Sequence, residues 1–262
     1  MHLSDTWAEP QDQRIPAAWQ KLSFPQLQKR LEAYCQRVIS TLRKGHAMPD
    51  MVTLRNEINR GILFPQGRLR VNGKPRWNRF TSLLNPAIAG VYAGSGSHKP
   101  KIMLQVGDFP DPLKFFRQLI AHRVHFDVIG YDYYSFYNGA VDQNLRFISN
   151  GLAMHLNKPI ILSENGYPWI YNALTGHMKS NTGSQFPFTP SGQVALVKAV
   201  IKIVKGLPNH CGQGVWWWEG AYTADEKDFV NNQCSYRSLF GSHGNALPAM
   251  RVLGAAAGKT GE

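Results

Sequence analysis

Two glutamates stand where this chain could do acid–base or nucleophilic work. Glu57 follows the run Met51-Val52-Thr53-Leu54 after Arg55-Asn56, and Glu164 follows Pro159-Ile160-Ile161-Leu162 after Ser163. In parallel α/β folds reactive groups gather at the carboxyl ends of strands. Two carboxyls ending two strands of one barrel would face a common mouth, which is what glycosidic cleavage needs. One protonates the leaving oxygen, and the other attacks the anomeric carbon or activates water. A single glutamate after a strand is more often a helix-start charge or a surface residue, so the pair carries the argument. Glu219 closes a third run, Val215-Trp216-Trp217-Trp218; with both roles filled, it is read as part of a structural ion pair. The nine histidines show no His-Glu-x-x-His or other ligand spacing, so a catalytic metal is not expected.

Aromatic residues accompany the carboxyls. Sugar rings have an apolar face on which indole and phenol rings stack. Trp7, Tyr133, Tyr134, Phe136, Tyr137, Tyr167, Trp169, Trp217 and Trp218 all fall at or just past presumed strand ends. Aromatics are usually core residues. That reading suits Trp216 and Phe126 and suits Trp169 and Tyr137, set among loop residues, less well. Asp127, inside an apolar run, is expected to bond neighbouring backbone or a helix N-terminus.

The elements that must position these groups alternate between short apolar runs and amphipathic stretches. Ser23 can cap a helix with Leu27, Leu31, Tyr34, Val38 and Leu42 on one stripe, stopped by Gly45. Strands are expected at 51–54, 102–104, 126–130, 159–162 and 215–218. Helices are expected from Trp77 to Val91, kinked or split by Pro86, and over 112–121, 145–156, 193–205 and from about Pro248. Strands apolar on both faces and separated by helices mean a parallel sheet. An open doubly wound sheet and a closed eight-stranded barrel compete, and no glycine-rich phosphate loop follows any strand. The long loop-rich stretch from Asn165 to Pro190 is of the kind that serves function.

Composition narrows the class. The chain has 262 residues, 43% of them hydrophobic, enough for one large α/β domain over 1–262. No run approaches the roughly 18 apolar residues of a membrane span, and the first residues lack the features of a secretory signal. The net charge is +12 from scattered basic residues. With no zinc-finger spacing or RNA-binding signature, nucleic acid is not an expected partner, whereas a basic surface would favour an acidic polymer. Cys35, Cys211 and Cys234 are too far apart for a disulfide framework or metal spacing and are read as free or buried thiols.

Several segments resemble the family 53 glycoside hydrolases, the arabinogalactan endo-β-1,4-galactanases of clan A. They are Ser4-Asp5-Thr6-Trp7-Ala8-Glu9-Pro10 with Pro16-Ala17-Ala18-Trp19; Pro49 to Val52 with Asn56-Glu57-Ile58-Asn59, Gly61, Leu63, Pro65 and Gly67; Phe126 to Gly130 with Tyr133-Tyr134; Glu164 with Tyr167-Pro168-Trp169; and Gly214 to Glu219. The resemblance spans nearly the whole chain. It implies a (β/α)₈ TIM barrel and retaining hydrolysis of internal β-1,4-galactosyl linkages. Glu57 is then the acid/base after strand four and Glu164 the nucleophile after strand seven. Asn56 would bond the sugar 2-hydroxyl, Trp218 floor the reacting subsite, Asp5 and Trp7 line the glycone side and Tyr134 lie near the nucleophile; Tyr133 and Trp169 are further candidate contacts. The partner is a polysaccharide, β-1,4-galactan, with no membrane or nucleic acid and a monomeric state if complete. The setting is extracellular or periplasmic for the full-length form, with the signal peptide absent from this chain. Against the family pattern, Arg55 replaces the usual Gly, Gln105 the usual His, Asp132 and Ser135 the usual Ser and Pro, and Asn165-Gly166 a Thr-containing pair. Calcium, held by some members in the loop after strand seven, is not expected, since this loop offers Asn172, Asn181 and few acids. The chain begins at the end of what would be strand three, so the expectation is a barrel lacking strands one to about three and leaving strand four unpaired. Another clan A glycanase of mannanase or xylanase type, or an inactive sugar-binding barrel, are the rival readings.

Overall fold

The computed structural model describes residues 1–107, 111–171, 186–222 and 235–258. The chain divides into two compact units, Met1–Gly130 and Tyr131–Glu262. In the first, helix α1 (Phe24–Lys44) is followed by β1 (Met51–Thr53) and by two small antiparallel hairpins, β2 (Gly61–Ile62) with β3 (Gly67–Arg68), and β4 (Arg70–Val71) with β5 (Lys74–Pro75). Helix α2 (Trp77–Ser95), strand β6 (Lys101–Val106) and helix α3 (Pro112–Ala121) complete it, and β7 (Val128–Asp132) crosses the boundary. The second unit adds α4 (Ser135–Asn138), α5 (Arg146–Leu156), β8 (Ile160–Glu164), α6 (Pro190–Lys205), β9 (Gly212–Val215) and α7 (Pro248–Ala256).

Within the first unit β1 pairs parallel with β6, Met51 opposite Lys101 and Thr53 opposite Met103. Within the second, β8 pairs parallel with β9, with a bulge after Ile160. All five residues of β7 are buried, as are all of β6 after Lys101 and all of β8 before Glu164. Burial on both faces is the property that made these segments read as parallel strands. The free edge expected at β1 is not bare: the Met1 amine donates to the Thr53 carbonyl at 2.6 Å, and the Arg55 amide donates to the Met1 carbonyl at 3.0 Å. Backbone groups at an edge take what partner the chain supplies.

Helix α1 begins as expected, with the Gln26 side chain accepting the Ser23 amide at 2.8 Å and Pro25 in the first turn. Its buried stripe, however, is Leu27, Leu31, Cys35 and Ile39, while Leu42 is exposed. The stripe is set by its neighbour α2, which runs unbroken through Pro86. A β-carbon on Gly90 would lie 2.2 Å from the Glu32 carbonyl oxygen, and one on Gly94 would lie 2.5 Å from that of Gln36. Two glycines one turn apart therefore let the helix backbones meet, and Cys35 and Ile39 fill the seam. Burial pushes the Cys35 thiol up to about 12; Cys211 is also buried and free, and Cys234 lies outside the described residues.

Two strand assignments shift. Phe126 precedes β7, and Trp216 to Trp218 follow β9. Trp216, read from sequence as core, is 44% exposed; Phe126 is buried as expected. Asp127 does bond backbone, its Oδ2 accepting the Ile102 amide at 2.8 Å.

The close approach of α1 and α2 predicts that Gly90→Ala lowers stability by about 1–3 kcal/mol, against the usual preference of a helix for alanine. Gly254→Ala on α7, where nothing lies within 4 Å of the new carbon, should raise stability by up to about 1 kcal/mol. Urea midpoints of the two variants beside the parent test the contrast.

Candidate active site

In the first unit Glu57 sits just past β1 with left-handed backbone angles (φ 43°, ψ 66°), opening a short turn at Ile58–Arg60. Such angles strain a residue with a β-carbon, and surrounding bonds hold them. The Asn56 side-chain amide donates to the Ala8 carbonyl at 3.0 Å and, more weakly, to Glu57 Oε2 at 3.4 Å. Gln105, at the end of β6, donates through Nε2 to Asn56 Oδ1 at 3.0 Å. Gly107 follows that strand, and a β-carbon there would fall 1.6 Å from Glu57 Oε1. The carboxylate thus lies directly against the Gly107 backbone, while the Gly107 amide donates to Asn59 Oδ1 at 3.3 Å. Gly107 was not singled out from sequence; only the contact reveals its role.

The segment before α1 holds this corner from the other side. Gln13, fully buried, donates to the Glu9 and Asn56 carbonyls at 2.9 and 2.8 Å and accepts from Arg55 Nε at 2.5 Å. Of the expected glycone residues, Trp7 is 58% exposed and within 5.8 Å of the His2 ring. Asp5 is exposed, and its Oδ2 accepts the Ala17 amide at 2.6 Å.

In the second unit Glu164 ends β8, and its carbonyl accepts the Tyr133 amide at 3.0 Å. The Tyr134 hydroxyl donates to Glu164 Oε2 at 2.9 Å. Burial, then the charge of Glu164 and that hydrogen bond, push the Tyr134 hydroxyl far above the ordinary tyrosine range, so it keeps its proton. Tyr133, expected among the substrate contacts, is instead fully buried with its hydroxyl donating to the Gly139 carbonyl; it belongs to the core. Tyr167 is likewise buried, its hydroxyl donating to the Phe186 carbonyl at 2.6 Å. Asn165 ties two loops, donating to the Tyr133 carbonyl at 2.7 Å while its own carbonyl accepts the Trp218 amide at 2.8 Å. Ser163 donates to Asp132 at 2.6 Å, so this departure from the family pattern is internally paired.

Arg237 is a residue the sequence did not mark. Its guanidinium carbon lies 4.7 Å from the Trp218 ring centre and 5.6 Å from that of Tyr134. It therefore packs the expected subsite floor and the partner of Glu164 around one cation. Trp169 is half-buried, its amide bonded to the Tyr236 carbonyl at 2.9 Å. Among the described residues Glu219 makes no ion pair, and its buried Oε2 has no hydrogen-bond partner there.

The model of glycosyl hydrolase family 53 matches residues 1–253. The chain belongs to glycosyl hydrolase family 53. It is 33% identical to a Niallia circulans protein called "Uncharacterized protein in bgaB 5'region", over 96% of this chain and 72% of that one. It is 28% identical to an arabinogalactan endo-β-1,4-galactanase of Thermothelomyces thermophilus, over 96% of this chain and 75% of that one. The "GH53 catalytic domain" of Ignisphaera aggregans superposes with a TM-score of 0.84 at 25% identity, over 96% of this chain and 71% of that one. The fold class is accordingly the (β/α)₈ barrel.

Membership in family 53 gives two departures a physical content. Arg55 has φ 72°, the region that favours glycine. Its side chain is buried, both terminal nitrogens lack a partner, and burial lowers its pKa to about 10. Gln105 spends an amide proton on Asn56, so what replaces the usual histidine positions a neighbour. Among the described residues no group of three or more His, Cys, Asp or Glu could hold a metal, and no helix is long and apolar enough to cross a membrane. Asn172 and Asn181 lie outside the described residues.

Gly107→Ala should displace the Glu57 carboxylate and lower kcat by about a hundredfold with the fold intact. Tyr134→Phe should lower kcat by about ten- to a hundredfold through the lost hydrogen bond to a charged group. Because the folded pKa of Tyr134 is raised, its contribution to stability is full below the unfolded value of about 10 and is lost as pH rises above it. Tyr134→Phe should remove up to about 1.4 kcal/mol per pH unit of the alkaline loss. Steady-state kinetics and urea midpoints from pH 9 to 11.5 check these outcomes.

Proposed function

We propose that this family 53 hydrolase cleaves internal β-1,4-galactosyl linkages of arabinogalactan or pectic galactan with retention, outside the cell or in the periplasm, and needs no cofactor. Glu57 protonates the leaving oxygen, and Glu164 attacks the anomeric carbon to give a covalent galactosyl ester. Glu57 then deprotonates the water that hydrolyses that ester, which returns both carboxyls to their starting forms. Asn56 takes the 2-hydroxyl, Trp218 stacks on the reacting sugar, and Asp5, Trp7 and Trp169 extend the contacts.

The observation that carries the reading is the hydrogen bond from the Tyr134 hydroxyl to Glu164 Oε2. The phenol keeps its proton and holds this carboxylate oxygen in place, which orients Glu164 for attack. Glu57 has a different setting, its carboxylate lying against Gly107 and accepting a long contact from the Asn56 side-chain amide. Two carboxyls in unlike surroundings suit two unlike roles. The galactanase name of the Thermothelomyces thermophilus relative supports the substrate.

Reducing-sugar release from linear β-1,4-galactan tests the activity. Glu57→Gln and Glu164→Gln should each lower it by about 10²- to 10⁴-fold. Proton NMR of early product should show the β-anomer first; the α-anomer first would sink retention. Azide added to Glu57→Ala should give the β-galactosyl azide and added to Glu164→Ala the α-azide; the opposite pattern would exchange the two roles.

A further inference from the structure

The hairpins between β1 and α2 frame a cavity of about 1000 Å³ that the proposed chemistry does not use. That volume is at the top of the roughly 300–1,000 Å³ range of ligand pockets. Arg60, Arg68, Arg70 and Lys114 present four cationic groups to it. Among the described residues the one acid in the wall, Asp111, caps α3, its Oδ1 accepting the Lys114 amide at 2.9 Å. None of the four cations forms an ion pair among the described residues.

Two of the four are held in place while keeping free N–H groups. The Arg68 guanidinium lies 4.4 Å above the Phe64 ring centre, and Arg70 donates through Nη1 to the Gly73 carbonyl at 2.9 Å. A guanidinium with one edge committed still offers a fork of donors that matches a carboxylate. Between the cations the wall is aromatic. Phe64 and Trp77 are half-buried, and Trp77 is braced by Phe115, ring centres 5.5 Å apart. An aromatic wall suits the apolar face of a sugar ring, and unpaired guanidinium groups suit an anion. Asn59 is also in the wall, two residues beyond Glu57, and its side chain holds the Gly107 amide on which the Glu57 carboxylate rests. The cavity therefore shares one wall residue, Asn59, with the corner that positions Glu57.

We propose that this cavity binds a uronic-acid residue of an acidic polysaccharide, the carboxylate on Arg68 and Arg70 and the sugar face against Trp77 and Phe64. The choice of a sugar acid over other anions rests on the reading that Glu57 works on a glycan. Neutral galactan is then the polymer cut, and an acidic segment is the part that anchors the chain beside the cut.

The test is equilibrium binding of α-1,4-linked trigalacturonate by calorimetry, with neutral β-1,4-galactotriose and inorganic phosphate as comparators. Trigalacturonate should bind at least tenfold more tightly than either, and the affinity should fall as salt rises, since these side chains are exposed. The double substitution Arg68→Gln/Arg70→Gln should cost at least tenfold. Lys29→Gln/Arg30→Gln, which removes the same charge from the exposed side of α1, should change binding by less than twofold. Equal binding of the neutral trisaccharide, equal binding of phosphate, or equal loss in both double variants would overturn the proposal. Thermal melts confirm that the variants fold. Hydrolysis of neutral galactan by the parent chain, measured in parallel, reports on the Glu57 reading by itself. Binding without hydrolysis keeps the cavity and sinks the catalytic pair; hydrolysis without binding overturns the cavity alone.

Discussion

Gln13 is the side chain on which the geometry around Glu57 depends. It is fully buried, and a buried amide must find partners for its donors and its acceptor. Its donors go to the Glu9 and Asn56 carbonyls and its oxygen to Arg55 Nε, so one residue joins the segment ahead of α1 to the turn after β1. Asn56 is gripped a second time through its side chain, between the Ala8 carbonyl and Gln105. Each net hydrogen bond contributes about 1 kcal/mol, but leaving any of these groups unpaired costs about 1–3 kcal/mol. That asymmetry keeps a glutamate with left-handed backbone angles in one place.

The corresponding device around Glu164 is different. Here the strand itself delivers the residue, the last of β8, and the restraint on its carboxylate comes from the Tyr134 phenol. The phenol is in turn covered by Arg237, which also lies over Trp218. One glutamate is held by amides over a bare glycine and the other by an aromatic cluster with a cation. Different surroundings are what separate the behaviour of two chemically identical side chains.

Arg55 shows what the arrangement tolerates. A non-glycine residue at φ 72° with two buried, unpartnered guanidinium nitrogens is unfavourable on both counts. It persists because its third nitrogen completes the valence of Gln13. Strain at this position is thus offset within the same network that fixes Asn56 and Glu57, beside the proposed reaction.

The strands, most helices and the places of Glu57 and Glu164 at two strand ends were legible in the sequence because each rests on local rules. Buried parallel strands are apolar on both faces, Ser23 and Gln26 mark a helix start, and a charged residue just past such a strand stands out. The resemblance to family 53 also pointed to Asn56 and placed Tyr134 near Glu164, where its hydroxyl does bond Oε2. The sequence reading placed Leu27 and Leu31 on the buried stripe of α1 but missed Cys35 and Ile39, put Trp216 in the core, gave the buried Tyr133 a substrate contact, and missed Gly107, Gln13 and Arg237. Each of these depends on which segment lies across from it. The α1 stripe is chosen by Gly90 and Gly94, and Gly107 matters only because Glu57 folds over it from another strand. Local pattern specifies what each segment becomes, whereas a contact between segments distant in the chain exists only once the chain is packed, and such contacts set the geometry of the site.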